Sequence, residues 1–170
     1  MTVRAGCVPI GTVRICRGPM KSLLIAYHSQ SGASAQLARA AWRGALAETG
    51  VEVVVRRAWD AGVEDLRRAQ GVLLVAAENS AALSGGMKDF LDRTFYPAIA
   101  HELVLPYALL VSAGNDGRGA VRQLQRIMSG YPFPPAAEPV ILRGEVTEAH
   151  LRAAGELGAA FATGLAMGIF

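Results

Sequence analysis

Three short stretches hold the residues that could do chemistry. The first is Ser29-Gln30-Ser31-Gly32-Ala33-Ser34, three hydroxyls and a glycine within six residues. It follows the apolar run 23–27 (LLIAY) and leads into a helical pattern with Leu37, Ala41, Gly44 and Ala45 on one face. A turn of this kind predicts an anion site. The N–H groups of a first helical turn lack intrahelical acceptors and form the positive end of the helix dipole. Gly32 lets the backbone approach closely, and the serines add donors. The stretch contains no Lys or Arg. That suits a phosphate held by amides and hydroxyls, and argues against a nucleoside-triphosphate loop with Gly-Lys-Ser/Thr and magnesium. The plainer reading is a serine-rich helix cap that binds nothing.

The second stretch is Glu78-Asn79-Ser80-Ala81 with Ser84, Gly85 and Gly86. The third is Ser112-Ala113-Gly114-Asn115 with Gly117 and Gly119. Alone, the second reads as ordinary turn and cap residues. Glu78 could cap a backbone N–H or face a pocket. The Gly-x-x-Gly-x-Gly of the third is not the dinucleotide fingerprint. Brought to one place, three loops of small and polar residues predict a pocket for a planar cofactor.

The elements that would bring them together are legible. Strands are predicted at 23–27, Val51–Arg57, 71–77, 106–112 and 139–143, the last an edge strand behind three prolines. Between them lie helical patterns: a short one at 63–69, then Met87, Phe90, Leu91, Thr94 and Phe95, then Val121, Leu124 and Met128. A last helix, capped by Thr147, buries Leu151, Ala154, Gly158, Phe161 and Leu165. Strands alternating with helices predict a doubly wound α/β fold, a five-stranded parallel sheet in a three-layer α/β/α sandwich, and the order 2-1-3-4-5 is expected because the phosphate turn follows the first strand. Its switch point between the first and third strands would gather the loops 29–34, 78–86 and 113–119 at the carboxyl edge.

Over residues 20–165 these motifs resemble the flavodoxin-like superfamily. Ser29-x-Ser31-Gly32-x-Ser34 is similar to its FMN phosphate loop, with Ala33 where an Asn is usual. Glu78-Asn79-Ser80, followed by Ser84-Gly85-Gly86-Met87-Lys88-Asp89-Phe90, looks like the second FMN loop of flavin and quinone reductases. Ser112-Ala113-Gly114-Asn115 looks like the third, flanking the isoalloxazine. The resemblance implies FMN as cofactor, held by these three loops together with Gln30, Ala81 and Gly117. It also implies NAD(P)H and a quinone or other small acceptor as partners. Electron-carrier flavodoxins cover the flavin with aromatics and have acidic surfaces. Here neither Ala81-Ala82-Leu83 nor Asn115-Asp116 supplies an aromatic, which favours an NAD(P)H-dependent oxidoreductase with an open flavin face. Trp59 could cover it from another loop or subunit. An electron carrier, or a flavodoxin fold that has lost FMN, are the other readings. No catalytic acid or base is nominated, since the flavin would carry the chemistry. Lys88 reads as a solvated helix residue.

Composition agrees. The 170 residues suffice for one domain, and 52% hydrophobic with 6% aromatic makes a core of Ala, Val and Leu. Of the 17 Lys and Arg, Arg4, Arg14 and Arg17 precede Met20, leaving a body balanced against 14 Asp and Glu. No basic stripe points to nucleic acid. Cys7 and Cys16 match no zinc spacing, and a cysteine-free body suits a reducing cytoplasm. No metal cluster is expected among His28, His101 and His150. No signal peptide or membrane span is expected either, the uncharged end 157–170 being too short to cross a bilayer. Residues 1–19 read as an N-terminal extension before a domain at 20–170. A homodimer is expected from the apolar Met87, Phe90, Leu91 and Phe95 and from the apolar end of the last helix.

Overall fold

A computed structural model of the chain describes residues 8–10, 13–15 and 20–170. Cys7 and Cys16, with the zinc-spacing reading attached to them, lie outside the described residues. The first two elements form an antiparallel hairpin, β1 (Val8–Ile10) and β2 (Val13–Ile15). Strands of three residues are too short to display a two-residue period, and no periodicity announced them.

The body runs β3 (Lys21–Tyr27), α1 (Ala33–Ala45), β4 (Val51–Arg57), α2 (Val63–Arg68), β5 (Gly71–Asn79), β6 (Ala82–Leu83), α3 (Gly85–Ala100), β7 (Tyr107–Ala113), α4 (Arg118–Met128), β8 (Val140–Arg143) and α5 (Glu148–Met167). The parallel strands lie in the order β4-β3-β5-β7-β8. Counting these five alone, that is the expected 2-1-3-4-5. The addition is β6, which pairs antiparallel with the end of β5, Asn79 opposite Ala82 and Glu78 opposite Leu83. What the sequence presents as a loop over 78–86 is thus a tight hairpin followed at once by a helix.

Strands buried on both faces feed two cores. Leu24, Ala26, Val72, Leu74 and Ala76 point to the layer of α2, α3 and α4, whereas Leu23, Ile25, Leu73 and Val75 point to α1 and α5. Small residues set the second layer. A Cβ on Gly158 would overlap the Ala41 carbonyl, so α5 lies directly on α1. Thr147 caps α5 as expected, its hydroxyl accepting from His150 N–H at 3.3 Å.

The apolar residues expected to meet a second copy are mostly used internally. Met87, Phe90 and Leu91 are buried in the chain's own core, and Phe95 packs edge-on against Tyr131. Phe170 folds back on Phe161, leaving Met167 and Ile169 exposed at that end. No described helix is long and apolar enough to cross a membrane.

Candidate functional site

The three loops meet at the carboxyl edge, and each pair is joined by a side-chain tie. Between the first and second, Asn79 donates from Nδ2 to Gln30 Oε1 at 2.8 Å. Between the first and third, the buried hydroxyls of Ser34 and Ser112 share a hydrogen bond of 2.7 Å. Between the second and third, the Glu78 carboxylate accepts three amides. Gly117 donates to Oε2 at 2.7 Å, and Gly119 and Ala120 donate to Oε1 at 3.1 and 3.3 Å.

These ties sort the candidate residues into two groups. Glu78, Ser34, Ser112 and Gly117 hold the frame. Through these bonds the Glu78 carboxylate caps the N-terminus of α4. Gly117 adopts φ +79°, a left-handed conformation costly to any residue with a Cβ, and a Cβ there would overlap the Ile141 side chain. Ala113 is buried below the third loop. The second group faces outward: Gln30, Ser31, Ser80, Ala81, Gly85, Gly114 and Asn115 are exposed.

The turn after β3 keeps its donors. Gly32 stands at φ +97°, and nothing lies within 4 Å of where its Cβ would be. The first intrahelical bond runs from Gln36 N–H to the Gly32 carbonyl. The amides of Ala33, Ser34 and Ala35 therefore precede the hydrogen-bond ladder. Ala33 in place of an Asn removes a side chain but not this amide. Ser29 Oγ accepts from Gly32 N–H at 3.1 Å and keeps its own O–H to donate.

The second loop is strained. Ser80 and Ala81, the two central residues of the hairpin, have φ +50° and +59°. Two-residue hairpins of this hand normally use Asn-Gly, so each residue costs about 1 kcal/mol here. The strain is held from outside. A Cβ on Gly119 would overlap the Ala81 carbonyl, and Leu83 N–H donates to Gln123 Oε1 at 2.8 Å. The hairpin is fastened to α4 along its length.

No protein-family model matches the chain, and no curated protein matches it. Solved structures do. A flavodoxin from the domain Archaea superposes with TM-score 0.74 at 20% identity, covering 84% of this chain and 96% of that one. The fold is flavodoxin-like. A WrbA-like flavodoxin from Agrobacterium tumefaciens matches with TM-score 0.68 at 17% identity, over 87% of this chain and 98% of that one. The rubredoxin oxygen:oxidoreductase of Desulfovibrio gigas reaches TM-score 0.76 at 16% identity, but the match spans 38% of its chain.

Beside the loops of this flavodoxin-like sheet lies a pair that the motifs did not reveal. His28, between β3 and the serine turn, is buried, and its Nδ1 has no hydrogen-bond partner. Its ring meets Trp59 edge-on at 5.5 Å, and a Cβ on Gly86 would overlap the imidazole. Burial pushes the His28 pKa below its ordinary 6.5, so the ring is neutral at pH 7. The signal in the sequence was only its place next to Ser29. Trp59 is 60% exposed, and its loop is pinned by Arg93, which donates to the carbonyls of Ala58 and Ala61 at 2.8 and 3.0 Å. It stands by the first loop and the start of α3. Lys88 pairs with Asp92 on the outer face of α3, as a solvated residue should. In the third loop the Arg118 guanidinium beside Asp116 holds that carboxyl below its ordinary range.

The donor set fits a phosphate-bearing planar cofactor. Gly32, Gly85 and Gly114 each have open space where a Cβ would stand, so a ligand can approach all three loops at backbone distance.

Proposed function

We propose that the chain is an FMN-binding oxidoreductase, taking electrons from NAD(P)H and passing them through FMN to a quinone or other small acceptor. One observation carries the reading. Two helices start at this sheet edge from a left-handed glycine, and among the described residues only α4 has a carboxylate on its amides. The α1 amides, with the hydroxyls of Ser29 and Ser31, would hold the FMN phosphate without a cation. Gly85, Gly114 and the backbone of Ser80, Ala81 and Asn115 would border the ring system. FMN would supply the hydride and electron chemistry. The chain's residues position it, and Glu78 with the serine pair keeps the three loops at fixed spacing.

The same-sized flavodoxin neighbours support a second reading, an electron carrier. The test is a visible spectrum with and without added FMN, followed by stopped-flow reduction with NADH or NADPH and reoxidation by a small quinone. An oxidoreductase bleaches with one nucleotide and recovers with the quinone. A chain that binds FMN yet responds to neither nucleotide, only to a reductase protein, is the carrier. The cysteine-free body suits a cytoplasmic setting. A homodimer in this reading rests on the exposed Tyr96, Ile99 and Val104 near the end of α3 and on Met167 and Ile169. A light-scattering mass near 18 kDa at all concentrations would exclude it.

A further inference from the structure

Away from the loops, the outer faces of α1 and α5 carry charges that flavin binding does not use. The two helices touch backbone to backbone, since a Cβ on Gly44 would overlap the Gly155 carbonyl. Above that seam lies a groove of about 550 Å³ walled by Arg39 and Arg43 of α1 and Arg152 of α5. Arg39 and Arg43 are four residues apart, so like charges share one helix face, an unfavourable placement. None of the three forms an ion pair with a described carboxylate, whereas Arg56, Arg67, Lys88, Arg93 and Arg118 each do. Glu148, four residues before Arg152, lies in the first turn of α5 and makes no pair with it. Residues 1–19 contain no Asp or Glu, so the N-terminal segment has no carboxylate side chain to offer them. Glu148 also lines the groove, so three guanidiniums face one carboxylate there and the patch is net positive on a body of balanced charge.

A second cavity, of about 320 Å³, lies between α1 and the sheet edge and shares Arg39 with the groove. Its walls are Tyr27, Trp42 and Val55 over a floor of Ala35 and Ala38. An aromatic slot joined through an arginine to a tri-arginine groove has two chemistries side by side. The slot accepts a flat, weakly polar ring, on which a guanidinium can also stack. The groove accepts phosphate oxygens in bidentate geometry. We propose that α1 and α5 form a binding site for a nucleoside polyphosphate, its base in the Tyr27 and Trp42 slot and its phosphates on Arg39, Arg43 and Arg152. This site lies on the outer side of α1; it meets the flavin reading only at Ala35, whose side chain is in the slot's floor and whose amide belongs to the donor turn.

The test is a titration of the full chain with ATP at low ionic strength. It is followed by calorimetry, and by Trp42 fluorescence in a Trp59→Phe background. Excess FMN is present to keep ATP from the turn after β3. ATP is expected to bind at least tenfold more tightly than tripolyphosphate or adenosine, and more weakly as salt is raised. Changing Arg43 and Arg152 together to Ala should cost at least tenfold, and Arg43→Lys, which keeps the charge but loses the bidentate fork, should cost less than the double change. Trp42→Leu should bring ATP down to the level of tripolyphosphate and leave tripolyphosphate unchanged. The arginines are on the surface, so their variants give a result even where Trp42→Leu fails to fold. Absence of ATP binding overturns the proposal. So does an unchanged affinity in the double arginine variant. ATP binding no tighter than tripolyphosphate or an acidic peptide also overturns it, the groove then being a general anion surface. Failure of FMN to bind would sink the flavin reading alone, because ATP lost only in Gly32→Val would locate it at the turn and ATP lost in the arginine variants at the groove.

Discussion

The turn after β3 and the turn after β7 are built alike and behave oppositely. Each is a strand running into a helix through a left-handed glycine, Gly32 at φ +97° and Gly117 at φ +79°, with no side-chain cap from the glycine itself. At the second turn the chain supplies its own anion: Glu78 reaches across from β5 and takes three amides. At the first turn no carboxylate of the described residues arrives, and nothing lies within 4 Å of where a Gly32 Cβ would stand. The same backbone device is a clamp in one place and a cluster of outward-facing donors in the other. What decides between them is whether a neighbouring strand delivers a carboxylate.

The contrast is broken most severely by Gly119→Ala. Its Cβ would meet the Ala81 carbonyl, backbone against backbone, so the hairpin and α4 must separate; a loss of about 3 kcal/mol in urea denaturation is expected. A wild-type stability would mean the clamp is looser than its geometry.

Glu78→Ala comes next. Three partly buried amides lose a charged acceptor, which should cost about 2 kcal/mol. The outcome that sharpens the comparison is gain of a second weak anion site at α4, visible as stabilisation of the variant by phosphate beyond that of the parent.

Gly32→Val attacks the open turn. It forces a β-branched residue into positive φ and fills the donor cluster, so FMN affinity should fall at least tenfold, about 1.4 kcal/mol. Since nothing lies within 4 Å, the fold should suffer less than in Gly119→Ala. Unchanged FMN titration would remove the turn from the site.

The smallest effect concerns pH. The folded chain holds His28 below its ordinary pKa of 6.5 through burial, so the unfolded chain takes up a proton the folded one resists. Stability from this source is complete above pH 6.5 and declines as pH falls through the window below it. His28→Gln should flatten that decline in thermal melts, while a slope identical to wild type would assign it to other groups.

Much of the frame was legible beforehand. Apolar runs such as 71–77 mark strands buried on both faces, the alternation of strand and helix leaves few topologies, and the donor turn after the first strand chose the order among them. The hydroxyl-rich turn could be read because its donors are consecutive in sequence. The hairpin over Glu78–Leu83 could not: its turn is Ser-Ala at positive φ, a conformation no local preference selects, held only by α4 packing on it. His28 was equally hidden, since a lone histidine carries no spacing.

The sequence by itself determined the fold and the location of the donor turn, because both depend on periodicity and on neighbours within a few residues. The tertiary structure alone decided which donors remain free. Glu78 lies about forty residues from the amides it takes, and Ser34 is 78 residues from Ser112. Such pairings form only when the sheet brings distant loop ends together, and local composition carries no record of them. The consequence is physical: a carboxylate or hydroxyl already satisfied inside the frame is not available to a ligand, and one left facing outward is.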